Sequence, residues 1–75
     1  MVSTYDERYQ RLLLRLRDAR VGCGLTQAHV AHVLGKPQSY ISRCESGERR
    51  LDVIELTELA AVYHVSLDDL VRDER

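Results

Sequence analysis

The sequence predicts an all-α fold of five helices, and three observations carry that reading. Apolar residues recur at three- and four-residue steps along most of the chain, the spacing of one helix face. No segment of strand length alternates with a period of two. Gly24, Gly35 and Gly47 each fall just past a periodic stretch, where helices end.

The first helix places Tyr9, Leu12, Leu13, Leu16, Ala19, Arg20 and Cys23 on one face. It is expected to begin near Tyr5 and to end at Gly22–Gly24, a length of about 28 Å. Arg8, Arg11, Arg15 and Asp18 fall outside. Leu14 lies off the apolar stripe, as an ordinary exposed leucine or as a partner contact. Thr26 suits the N-cap of a short second helix, Gln27 to Leu34, with Val30, Ala31 and Leu34 inward.

A third short helix is expected from Pro37 to Cys44 or Glu45. Proline fits a first helical position, where its missing N–H has no partner in any case. Ile41 and Cys44 point inward and Tyr40 outward, with Gly47 as the left-handed residue after Ser46. The run Glu48 to Leu51 is a polar loop. Asp52 then caps a fourth helix, with Glu55 three residues on as in a capping box. Its inner face is Val53, Leu56, Leu59, Ala60 and Tyr63.

Ser66 caps a last short helix, with Leu67, Leu70 and Val71 on its apolar side. Val62, Leu67, Leu70 and Val71 form either a core-capping face or a patch for a second copy. Residues 72–75 are expected to fray. His64 places a favourable charge at the end of the fourth helix.

Composition bounds the answer. The chain has 75 residues, 44% hydrophobic and 31% charged, which fits one globular domain over residues 1–75 with its core at about 9–71. No apolar run approaches the roughly 20 residues needed to span a membrane. The first ten residues lack the apolar core of a signal peptide. Two cysteines, Cys23 and Cys44, read as reduced thiols, and the expected location is the cytoplasm. The net charge of −1 hides an asymmetry. Residues 1–50 carry nine basic against five acidic side chains, and residues 51–75 carry two against seven. The first part therefore suits a polyanion partner.

Two helices as short as the second and third cannot stand alone. Their spacing over residues 27–46 is that of a helix-turn-helix. The crossing demands a small residue, supplied by Ala31, and the turn demands a positive φ, supplied by Gly35.

At this point a family resemblance becomes concrete. Leu16 to Leu56 resembles the Cro and lambda-repressor-like helix-turn-helix family, also called XRE. The agreement includes Leu16, Arg20, "GLTQ" at Gly24–Gln27, "VA" at Val30–Ala31, "LG" at Leu34–Gly35, "QS" at Gln38–Ser39, Ile41–Ser42, and Glu45 with Gly47. "VSLDDL" at Val65–Leu70 is also similar to the family's ending. The resemblance implies a five-helix lambda-repressor-like bundle that binds duplex DNA with its third helix in the major groove.

Residue chemistry fits that implication. The Gln38 amide matches adenine N7 and N6, and Arg43 can fork onto guanine O6 and N7. Ser39 and Ser42 are short enough to approach base edges. Gln27 opens the second helix, where free N–H groups favour a phosphate oxygen. Lys36, Tyr40, Arg49 and Arg50 are the remaining candidate phosphate contacts. Arg20 and Glu45 are similar to the family's internal ion pair. Two positions depart from the pattern: Pro37 stands where Ser or Thr is usual, and Glu48 where several relatives carry a basic residue.

Other chemistries find less support. His29 and His32 are three apart, but no carboxylate or thiol nearby completes a metal set. Cys44 occupies a core position without an oriented base, so no nucleophile is assembled. No acid–base or cofactor constellation is present, and neither enzyme, metal nor cofactor is expected. The expectation is a sequence-specific transcription regulator, acting as a homodimer on a palindromic operator. The alternative is an antitoxin-like chain that binds a partner toxin through residues 51–75 and regulates its own operon. With no room for a sensor domain, regulation would come through abundance, dimerisation or a partner.

Overall fold

The computed structural model describes residues 6–72. It contains five helices: α1 (Glu7–Gly22), α2 (Gln27–Leu34), α3 (Gln38–Ser46), α4 (Val53–Tyr63) and α5 (Leu67–Val71). The caps set these boundaries. Asp6 accepts the Arg8 N–H and starts α1. Thr26 accepts from the His29 N–H, and Ser66 from the Asp69 N–H. Asp52 and Glu55 form a reciprocal capping box at α4. The turn after α2 needs Gly35 at φ +68°, and the one after α3 needs Gly47 at φ +88°.

α1 lies against α3, α4 and α5, while α2 packs on α3 and α4 on α5. The shared core is Tyr9, Leu13, Leu16, Val30, Ala31, Ile41, Leu56, Leu59, Ala60, Tyr63 and Leu70. Ala31 is buried in the core, and Ile41 and Cys44 fix the inner face of α3. The short α2 and α3 are thus held by contacts they could not make alone.

Several expected placements are corrected. Pro37 is the N-cap of α3 in extended conformation, not its first helical residue, and it lends no side-chain cap. Val53 is 61% exposed, because the first turn of α4 projects past the core. Val71, the last residue of α5, is exposed as well. Leu70 is buried and Val62 and Leu67 half-buried, so most of that set caps the core. Cys23 is exposed at the α1 C-cap, where its thiol donates to the Tyr63 carbonyl at 3.1 Å. Arg15 does not lie free outside: its Nε donates to the Leu70 carbonyl at 2.6 Å and ties α1 to α5. His64 takes the left-handed conformation at φ 58° that ends α4. The expected start near Tyr5 and the residues after Arg72 lie outside the described residues.

Candidate nucleic-acid interface

α3 has two faces. Ile41 and Cys44 are buried, whereas Gln38, Ser39 and Arg43 are exposed and Ser42 is half-buried. The Gln38 amide and Ser39 hydroxyl have no hydrogen-bond partner among the described residues. Ser42 donates its hydroxyl to the Ser39 carbonyl at 3.2 Å. Arg43 Nε sits 3.9 Å from Glu48 Oε2, a loose contact between two exposed side chains. An exposed pair at that distance contributes little to stability.

Behind this face, one carboxylate joins three helices. Arg20 Nε and Nη2 donate to Glu45 at 2.6 and 3.2 Å, and Nη1 donates to the Leu25 carbonyl at 2.8 Å. Gln27 Nε2 donates to the same Glu45 at 3.0 Å. The Glu45 hydrogen bonds raise the Arg20 pKa above its usual value, against the opposing effect of burial. The Gln27 amide is thereby held against α3, with one N–H unspent among the described residues.

The basic loop after α3 is arranged differently from what its composition suggests. Arg49 donates from Nη1 and Nη2 to Glu55 at 2.9 and 2.7 Å, a two-pronged pair. Its guanidinium carbon lies 4.8 Å from the centre of the Tyr40 ring. Arg49, then the Asp52 N–H, hold the Glu55 carboxyl down at about 2. Lys36 Nζ is 5.2 Å from the same Tyr40 ring, and Arg50 stacks on Tyr9 at 4.4 Å. Tyr9 in turn accepts the Leu51 N–H at 3.1 Å. Tyr40 is half-buried rather than exposed, and burial pushes its hydroxyl up to about 12. Its ring packs against the core. Burial likewise pushes the Cys44 thiol up, which leaves it a packing group.

Beside α3 a groove of about 270 Å³ is lined by Arg17, Arg20, Gln27, Ser42, Glu45 and Ser46. Arg17 was not marked by any sequence signal. Helical periodicity leaves it on a solvated face, and only the packing of α1 on α3 brings it to the groove that Ser42 also lines. Among the described residues, no group of three or more histidine, cysteine or acidic side chains could hold a metal ion. No helix there is long and apolar enough to cross a membrane.

This architecture defines a helix-turn-helix domain of the kind found in DNA-binding transcription regulators. A family model described as helix-turn-helix matches residues 16–70. A solved structure, an XRE-family like protein from Pseudomonas syringae pv. tomato str. DC3000, is 42% identical with a TM-score of 0.84, covering 89% of this chain and 82% of that one. No curated protein matches. The chain belongs to the XRE family of helix-turn-helix proteins, a family of DNA-binding regulators rather than enzymes.

Proposed function

We propose that the protein is a sequence-specific transcription regulator that lays α3 in the major groove of duplex DNA, as a homodimer on a palindromic operator in the cytoplasm. One observation carries the reading. The outer face of α3 presents Gln38, Ser39, Ser42 and Arg43 together, while its inner face is locked by Ile41 and Cys44. Gln38 and Arg43 read base edges, and the two serines approach bases or nearby phosphate. Gln27, Lys36 and Arg50 position the domain on the backbone. Tyr40 and Arg49 act chiefly through the frame, because Glu55 takes up the Arg49 fork.

Two recognition helices on one operator would lie about 34 Å apart, one DNA turn. The exposed Val53 and Ile54 on the acidic half offer surface for a second copy. The same surface supports the antitoxin-like reading, in which a partner toxin docks on residues 51–75; a toxin that co-purifies with the chain would favour it.

The test is selection of bound duplexes from a random pool at several salt concentrations. A defined half-site should emerge, repeated in inverted orientation. Gln38→Ala should then cost about 1–3 kcal/mol and relax preference at one base pair. A pool that returns no common sequence would overturn the reading.

A further inference from the structure

The groove beside α3 holds more than the internal ion pair needs. Arg20 and Glu45 cancel each other's charge across 2.6 Å. Arg17 lines the same groove and has no hydrogen bond or ion pair among the described residues. Its positive charge is therefore uncompensated. The first turn of α2 adds to it. Thr26 caps the His29 N–H, but the main-chain N–H groups of Gln27 and Ala28 find no acceptor among the described residues. The Gln27 side chain spends one N–H on Glu45 and keeps the other. The two serine hydroxyls spend their protons on the Ser39 and Arg43 carbonyls. The groove thus offers one full positive charge and several oriented N–H donors, at the edge of the face proposed to meet DNA.

We infer that Arg17 is a phosphate-binding residue, closing a clamp between α1 and the start of α2 on a single phosphodiester of the bound duplex. The inference rests on the proposed DNA reading and adds to it a contact from α1. A phosphodiester carries one negative charge, which matches the one unbalanced cation. Its two free oxygens can accept from the Arg17 guanidinium on one side and the α2 N–H groups on the other. The planar fork suits an oxygen pair better than an ammonium would. Because Glu45 fixes Gln27 and Arg20 from behind, the anion meets donors already oriented.

The test compares the parent with Arg17→Ala and Arg17→Lys, using the best duplex from the selection and a mixed-sequence duplex of equal length. Arg17 is exposed and unpaired, so the variants should keep the parent's melting temperature. Arg17→Ala should weaken both duplexes by the same factor. It should flatten the slope of log affinity against log salt by about 0.9 per bound chain, so its deficit shrinks about threefold between 50 and 200 mM salt. Arg17→Lys should recover most of that slope. A single methylphosphonate, which removes one backbone charge, should weaken the parent at one position per half-site and weaken Arg17→Ala there by a clearly smaller factor, the part due to the α2 N–H groups. Equal affinity of Arg17→Ala and a DNA-binding parent would overturn the clamp alone. A loss confined to the selected duplex would also overturn it, assigning Arg17 to base reading instead. A parent that binds neither duplex would overturn the DNA reading itself, and the clamp with it.

Discussion

Glu45→Ala should be among the most destabilising single changes in this molecule. The carboxylate is only 11% exposed and the Arg20 side chain only 12%, so water screens the pair weakly. Removing it leaves the Arg20 guanidinium with one remaining partner, the Leu25 carbonyl, and deprives Gln27 of its acceptor. Breaking one side of a fully buried pair costs about 3–5 kcal/mol, and this largely shielded one should fall at the lower end, about 3 kcal/mol. A domain of 75 residues has a total stability of about 4–11 kcal/mol, so the loss takes a large share of it. At about 4–8 °C per kcal/mol the melting temperature should fall by at least about 12 °C. Circular dichroism during heating reads this directly. Glu45→Gln keeps an acceptor oxygen and should lose less. Replacing both partners together by apolar residues of similar size should recover much of the deficit, because no orphan charge remains. A Glu45→Ala protein melting within about 4 °C of the parent would refute the reasoning, since the three helices would then be held without this carboxylate.

Two further outcomes follow from the α3–α4 connection. The Glu55 carboxyl is lowered from 4.5 to about 2 by Arg49 and the Asp52 N–H, so its stabilising effect is complete above pH 4.5 and is lost as pH falls toward 2. Glu55→Gln should flatten the stability profile in that window, measured by denaturant titration; an unchanged acid limb would contradict the pairing. Asp6, also lowered to about 2 by Arg8, should keep part of the slope in the variant. Gly47→Ala should destabilise by about 1–2 kcal/mol from the left-handed backbone alone. The added Cβ would also meet Leu13 Cδ1 at 3.3 Å, so an equally stable variant would argue against the turn geometry.

What was legible in the sequence was what local chemistry decides. Thr26, Asp52 and Ser66 cap helices because short oxygen-bearing side chains reach the N–H two or three residues on, and that needs no tertiary context. Gly35 and Gly47 mark left-handed turns for the same local reason. Periodicity found the core but overran it at the ends. Val53 continues the α4 stripe, yet it opens the helix and stays exposed together with its neighbour Ile54. Arg15 reads as outward, but its long stem reaches a carbonyl 55 residues away. Tyr40 reads as exposed because its ring is sheltered by Lys36 and Arg49, side chains from outside α3. Arg17 carries no pattern at all; only the assembled groove distinguishes it from any solvated arginine.

The same distinction decides how strongly the front attracts DNA. Nine basic side chains in the first fifty residues suggest a broad polycation. The fold withdraws several of them. Arg20 and Arg49 are forked onto carboxylates, Arg15 is bound to Leu70, Arg8 pairs with Asp6 at 3.1 Å and Arg11 stands 4.0 Å from Glu7. Arg17, Lys36, Arg43 and Arg50 remain near the proposed interface, and Glu48 stands against Arg43. Each phosphate neutralised steepens the salt dependence by about 0.9, so four cations set a slope no steeper than about −4 per bound chain. Affinity for arbitrary sequence, which depends on that electrostatic attraction, should be correspondingly low. Discrimination resting on the Gln38 amide, a neutral group, should be largely preserved as salt rises, because its base-edge hydrogen bonds release no counterions. A slope of about −5 per chain would mean that Arg20, Arg49 or both leave their carboxylates on binding, and the static front would be the wrong one.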